Sequence, residues 1–167
     1  MVLHMPSVAD AKVAKEFGVR LIGRLLFAWF LKKNVGPIKG ALVPDSLLSL
    51  SAVSKAIEFK RSYYHDTIEP LFFETLNTPP GERRHEYRVA PWSSVPFLNG
   101  GLFEAHQEDF YERNEAGQSV YFATLRIPNE WLRELFQLFD EYNFTIDENL
   151  SVDIDLAVEP EMLGRIF

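Results

Sequence analysis

The sequence contains no cysteine, and none of its apolar stretches is long enough to cross a membrane. Without thiols the chain has neither a disulfide framework nor a thiolate metal site. Its longest strongly apolar, uncharged run, residues 25–31, is far shorter than the roughly 20 residues that a membrane-spanning helix requires. No secretion signal is evident. These absences fit a reducing cytoplasm, where we expect this chain to act.

Positive charge is also scarce, with 17 lysines and arginines against 24 acidic residues and a net charge of −7. This balance argues against the segment alone gripping a phosphate backbone, because such affinity comes largely from Lys and Arg. The charge is uneven: residues 11–40 carry seven basic side chains, and residues 129–161 carry ten acidic ones. The two segments either attract one another or are simply solvated, or else the basic face contacts nucleic acid.

Large apolar residues are abundant. Hydrophobic residues make up 47% of the 167 residues, which is enough for the core of one globular domain, and 14 of them are phenylalanine. More rings than one small core can hide would indicate surfaces that meet neighbouring domains.

Helical spacing dominates the pattern of apolar residues. Four helices are predicted. Asp45 or Ser46 starts the second of them, Pro70 interrupts the third, and Asn129 caps the fourth. The predicted helices run from the Ser7-x-x-Asp10 start signal to Asn34, from Leu47 to about Lys60, from about Ser62 to Leu76, and from Asn129 to about Tyr142.

A few extended pieces accompany the helices. Alternating apolar residues predict short strands over Val120–Ile127 and Val152–Val158. The region from Arg83 to Phe110 is predicted to form turns and short extended pieces. The predicted fold is therefore mainly α with a minor β part, an α+β arrangement. Residues 159–167 have the pattern of a further helix that is only beginning, so we expect the chain to be a piece of a longer protein.

One pattern suggests metal-dependent hydrolysis. Pro44-Asp45 is followed, after twelve residues, by Glu58-Phe59-Lys60, which matches the PD-(x)n-ExK pattern of metal-dependent nucleases. In that chemistry the two carboxylates bind a divalent ion and the lysine assists the attacking water. Those residues belong on neighbouring strands, whereas here the spacing between them is helical. We therefore favour coincidence, with Asp45 as a helix cap.

The four histidines, at positions 4, 65, 85 and 106, lie far apart. We find no carboxylate or second histidine at helical ligand spacing from them and predict no metal site. The basic residues Arg83, Arg84 and Arg88 stand beside Tyr87 and Trp92 in a predicted loop. This cluster is either a nucleic-acid contact or ordinary surface.

Two glycine- or proline-containing loops come close to known motifs. Asn77-Thr78-Pro79-Pro80 approaches the Asn-Pro-Pro-aromatic loop of amino-methylating DNA methyltransferases, but Thr78 intervenes and Gly81 replaces the aromatic residue. Asn99-Gly100-Gly101 does not follow a buried strand, so it favours a turn over a cofactor loop.

Four stretches together carry a resemblance to a known family. They are Arg24–Lys33, Pro70–Asn77, Val95–Glu104, and Tyr142–Glu148 continuing to Glu159–Phe167. In their order and spacing they resemble the segment that precedes the catalytic core of type IIG restriction-modification enzymes and of large adenine-specific DNA methyltransferases.

The resemblance implies a prokaryotic parent protein that methylates adenine with S-adenosylmethionine and, in bifunctional members, cuts DNA with a separate nuclease that would use Mg²⁺. It implies that residues 1–158 form a helical connector domain and that residues 159–167 lead into an absent methyltransferase core. Partners would be the adjacent methyltransferase, nuclease or target-recognition domains, and DNA through the parent. No catalytic, cofactor or metal residue is expected here. The alternatives are an autonomous nucleic-acid binding module and a small metal-dependent nuclease.

Overall fold

A computed structural model describes residues 4–33, 41–98 and 100–141. Helices dominate this part of the chain, so the mainly α prediction is confirmed. The α-helices are α1 (Ala11–Lys33), α2 (Leu50–Glu58) and α3 (Asn129–Glu141), and between α2 and α3 lies a wider helix, the π segment, formed by Tyr64–Ile68 and Pro70–Leu76. Single 3₁₀ turns occupy His85–Tyr87, Trp92–Ser94, Gly101–Phe103 and Gln107–Asp109.

Helix α1 forms the long side of the core. Asp10 caps it, because its carboxylate accepts the N–H groups of Lys12 and Val13 at 2.9 Å. The residues at four-residue intervals that predicted this helix include Leu21, Leu25 and Trp29, which are buried as expected. The predicted end at Asn34–Pro37 lies outside the described residues.

Helix α2 begins later than predicted. Ser49 is its N-cap, and the Ser49 hydroxyl accepts the N–H of Ala52 at 3.1 Å. The prediction that Asp45 caps this helix is wrong. Asp45 is instead exposed and lies 3.1 Å from the ammonium of Lys32 on α1.

The third predicted helix is present, but its turns are widened around Pro70. Proline has no N–H and clashes with the carbonyl four residues earlier, so an ordinary α-helix cannot pass through it undisturbed. Here the N–H of Glu69 donates to the carbonyl of Tyr64, five residues back, as does that of Asn77 to Phe72. The segment thus remains helical on both sides of the proline.

The predicted minor β part is not found in the described ranges. Over Val120–Ile127 the backbone forms turns, in which Thr124 and Leu125 both donate to the carbonyl of Tyr121. The alternating pattern gave a wrong prediction because the segment turns part-way along. Val120 and Phe122 at its start are exposed, whereas Leu125 and Ile127 at its end are buried. The second predicted strand, Val152–Val158, lies outside the described residues.

Isolated pairings replace strands in this part of the molecule. His4 exchanges two backbone hydrogen bonds with Arg126, at 3.2 and 2.8 Å, and Arg113 pairs with Ser119. The first contact joins the residues just before α1 to those just before α3, the second closes a loop over residues 113–119, and neither forms a sheet.

The core lies where α1, α3 and the π segment meet. The ring of Trp29 on α1 packs 4.9 Å from Phe136 and 5.8 Å from Phe139 on α3. Tyr63, just before the π segment, packs edge-on against Phe136 at 6.1 Å. Within the described ranges, no helix combines the length and apolarity that crossing a bilayer demands.

Candidate functional site

One face of the π segment carries buried ionisable side chains. His65, Glu69 and Glu74 follow one another at intervals of four and five residues, the spacing of a helix with i→i+5 hydrogen bonds, so all three lie on one side. They are 4%, 0% and 7% exposed. A buried charge is costly unless it is paired and hydrogen-bonded. Each of these groups must therefore have partners.

His65 and Glu69 form the first part of this face. The Nε2 of His65 lies 2.8 Å from the carbonyl of Leu125, which can only accept, so Nε2 carries a proton. Its Nδ1 lies 2.7 Å from Glu69 Oε2. A hydrogen bond there needs one shared proton, held either by an imidazolium beside a carboxylate or by a carboxylic acid beside a neutral imidazole.

Ser119 completes this group by donating from Oγ to the other Glu69 oxygen at 3.2 Å. The serine thus faces the carboxylate rather than the imidazole, and the histidine does not stand as a general base to its hydroxyl. The three side chains connect the π segment to the turns over residues 119–127. Their geometry supports a structural role.

Glu74 is the centre of a second group. Tyr111 donates its hydroxyl to Glu74 Oε1 at 2.5 Å, and the Nε of Arg113 lies 3.0 Å from the same oxygen. Burial raises the pKa of the Tyr111 hydroxyl, and the neighbouring Glu74 raises that pKa further. Tyr111 therefore stays protonated and acts as a donor.

A third buried group joins α1 to the 3₁₀ turn at Gln107–Asp109. Asp109 is fully buried and accepts from Arg24 Nη2 at 2.9 Å and from Arg20 Nε at 3.0 Å. Arg24 also donates to the carbonyls of Leu102 and Glu104, both at 2.7 Å. Burial alone would raise the pKa of Asp109, but the hydrogen bond and charge of Arg24, with help from Arg20, lower it overall. Asp109 is thus held ionised.

The arginines predicted to contact nucleic acid occupy different environments. Arg83 is 1% exposed and donates to backbone carbonyls of four residues, and burial lowers the pKa of its guanidinium. Arg84 is partly exposed and lies 4.0 Å from Glu74, whereas Arg88 is exposed and donates to the carbonyls of Arg83 and Gly81. The nucleic-acid contact stays a prediction for this cluster. The acceptors of Arg83 are Thr75, Thr78, Trp92 and Val95.

The residues of the nuclease pattern are not brought together. Asp45 precedes α2 and Glu58 is its last residue, so the length of this nine-residue helix, about 13 Å at 1.5 Å per residue, separates Glu58 from the end at which Asp45 lies. Lys60 follows in a left-handed conformation with φ of 53° and is exposed. In the described ranges, no three His, Asp or Glu side chains converge as a metal site would require.

The sequence did not lead us to predict the buried ionisable side chains of the π segment. The statement that no carboxylate stands at helical spacing from a histidine is wrong, since Glu69 is four residues after His65 and contacts it. That i, i+4 spacing was the signal available. No such spacing indicated the contacts that Asp109, Tyr111 and Arg113 make, because these residues lie far along the chain from their partners.

An open groove lies between the end of α1, the start of α2 and the end of α3, with a volume of about 390 Å³. Its charged residues are of both signs. Two ion pairs cross the groove or its rim, and they join Lys32 to Asp45 at 3.1 Å and Lys33 to Asp140 at 2.8 Å. The groove is thus partly closed by ion pairs between its walls.

Comparison with known proteins places this geometry in context. A protein of Methanocaldococcus jannaschii, provisionally named as a type II restriction enzyme and methyltransferase, is 30% identical to this chain over 154 residues. The chain is related to a restriction-modification protein. The similarity covers 92% of this chain, which spans only 12% of the Methanocaldococcus protein. No protein-family profile matches the sequence, and no solved structure matches it.

The relationship confirms the coarse part of the family resemblance. The finer expectations, namely type IIG organisation and a position immediately before the methyltransferase core, stay predictions. The same holds for the division at residue 158, because residues 142–167 lie outside the described ranges.

Proposed function

We propose that this chain is a noncatalytic connector of a DNA restriction-modification enzyme of the type IIG class. The parent would be a cytoplasmic prokaryotic protein that methylates adenine with S-adenosylmethionine and, if bifunctional, cuts DNA with Mg²⁺ through a separate domain. The connector would hold these neighbouring domains at a fixed spacing, and it would meet DNA as part of the parent.

The observation that carries this proposal is the alignment of 92% of the chain with 12% of the Methanocaldococcus protein. A chain that corresponds to one small part of a much longer relative fits a module whose chemistry lies in the remainder. The buried charges support the same role, because Asp109, Glu69 and Glu74 each join distant segments of the fold. Such links keep the shape of the segment fixed, and a spacer that sets the distance between domains depends on a fixed shape.

The first test of the proposal is to read the coding DNA on both sides of this segment. A reading frame that continues past Phe167 into a glycine-rich cofactor loop and an Asn-Pro-Pro-aromatic motif is expected. A frame without methyltransferase motifs on either side would refute the assignment.

Calorimetry on the isolated chain gives a second test. We expect no heat of binding for S-adenosylmethionine, while the full parent polypeptide binds it under the same conditions. Micromolar binding by the isolated chain would contradict the connector role, because the cofactor site would then lie in this segment.

A nucleic-acid binding module is the alternative, and the surface position of Arg84 and Arg88 keeps it open. It predicts DNA binding by the isolated chain that weakens steeply with salt, because phosphate contacts release counterions. Arg84→Gln should weaken such binding, whereas Lys55→Gln on α2 serves as a matched loss of one positive charge elsewhere. Salt-independent or absent binding would remove this alternative.

A further inference from the structure

The outward face of α1 carries apolar side chains in a row. Val19 is 55% exposed and Ile22 is 40% exposed. Further along the helix Phe30 is half-buried, and so is Leu26, which also packs against the core. We call these four residues the α1 stripe. They stand at intervals of three, four and four residues, so they share one side of the helix. The opposite side of α1 faces the core through Phe17, Leu21 and Ala28.

The alignment of the α1 stripe distinguishes it from ordinary surface. Single exposed apolar residues are common and need no explanation. Apolar anchors at i, i+3, i+7 and i+11, however, are the pattern by which a helix packs against a second apolar surface. Within the described residues, more than half of Val19 is left uncovered.

The size of the α1 stripe points to an occupant linked in the same polypeptide. A stable interface between separate molecules needs about 20–30 residues a side, and four side chains are far fewer. A domain tethered in the same chain needs less, because the tether supplies a high effective concentration. The related Methanocaldococcus protein has 88% of its length outside the region that this chain spans (100% minus 12%).

Charge defines the margin of this surface. Lys12 and Lys15, two turns and one turn before Val19 respectively, are exposed. The side chain of Lys12 is 82% exposed and lies 3.8 Å from Glu16, and for Lys15 the described residues supply no ion pair. A complementary surface would therefore be apolar at its centre and acidic at the side that meets the start of α1.

We propose that the α1 stripe is the docking surface for a neighbouring domain of the same polypeptide, which presents an apolar patch with an acidic margin. This inference rests on the proposed function, because it requires a parent with further domains. It extends the proposed function by naming the face of the connector that a neighbouring domain contacts.

The test compares Val19→Glu and Ile22→Glu with the control Val89→Glu, which alters a residue 52% exposed and outside α1. In the isolated chain all three should leave the melting temperature and the monomeric state unchanged. In the parent polypeptide, hydrogen exchange of residues 15–30 should rise about tenfold for the two stripe variants and stay unchanged for the control, because a buried charge opposes docking.

Three results would overturn the inference. The first is equal exchange in the stripe and control variants of a parent that still binds S-adenosylmethionine, which would leave the proposed function standing. The second is a dimer of the isolated chain that Val19→Glu dissociates, since the occupant would then be a second copy. The third is a reading frame without further domains, which removes the proposed function as well.

Discussion

The side chain of Asn129, the first residue of α3, accepts the backbone N–H of Tyr63 at 3.0 Å and donates to the carbonyl of Arg61 at 2.7 Å. Asn129 was predicted to cap its own helix. It instead satisfies a free N–H where the neighbouring helical segment begins, so one side chain fixes the position of two helices relative to one another.

Replacing Asn129 with Ala should therefore destabilise the chain by about 1–2 kcal/mol, in the range of a lost cap that leaves a backbone donor unpaired. Urea unfolding followed by circular dichroism measures this difference. Asn129→Asp keeps the acceptor for Tyr63 and should recover part of the loss. Gln137→Ala, an exposed change on the same helix, should have little effect. Equal stability of Asn129→Ala and Gln137→Ala would contradict the prediction.

The Asp109 cluster should make stability depend on acid. Because the pKa of Asp109 is lower in the folded chain than the roughly 3.9 of an unfolded Asp, its ion pairs contribute fully above about pH 4 and are lost as the pH falls through the folded value. The free energy of unfolding, measured by urea from pH 7 to pH 2, should therefore decrease below pH 4.

Asp109→Asn should remove part of this acid dependence and should also be less stable at pH 7, because Arg24 is left buried without its carboxylate. Glu108→Gln, an exposed neighbour in the same turn, is the matched control and should keep the wild-type profile. If the free energy of unfolding of Asp109→Asn changes with pH in parallel to that of the wild type, Asp109 is not responsible for the acid dependence.

The His65–Glu69 pair should show strong coupling. His65→Leu leaves the fully buried Glu69 without its main partner and should cost about 3–5 kcal/mol of stability. The double variant His65→Leu with Glu69→Met replaces both groups by apolar side chains and should be more stable than His65→Leu alone. Thermal unfolding of the two single variants and the double variant closes this cycle. Simple additivity of the single losses would indicate that the two side chains do not interact.

A side chain at Gly117 should destabilise the fold. Its φ is +78°, and a Cβ built there would lie 2.8 Å from Nη1 of Arg84. Gly117→Ala should therefore destabilise the turn by more than about 1 kcal/mol, through backbone strain and displacement of Arg84. Gly81→Ala, where a Cβ would meet no atom within 4 Å, is the control and should be near neutral. Calorimetric melting of both variants is the measurement.

The sequence predicted the helices well because their signals are local. Apolar residues at four-residue intervals located α1, and Pro70 marked the interruption of the third helix. The start of α2 was misplaced because Asp45 and Ser49 are both good caps, and only packing decides between them. Val120–Ile127 was misjudged because period-two alternation does not reveal whether a partner strand exists.

The candidate site was less accessible to sequence reasoning. His65 and Glu69 stand within one helical turn, and that pair could have been found. Asp109 and Arg24 are 85 residues apart, and nothing in either neighbourhood indicates the other. The burial of Arg83 depends on carbonyls that turns bring together, so composition alone suggested a surface arginine.

The link between Arg24 and Asp109 has a consequence for how this segment can be handled. A truncation that separates the first helix from the turns after residue 98 would strand an unmatched charge in each half. Neither half should then fold on its own. Boundaries for expression, or for transplanting this segment into another protein, should accordingly keep α1 and the turn at Gln107–Asp109 in one piece.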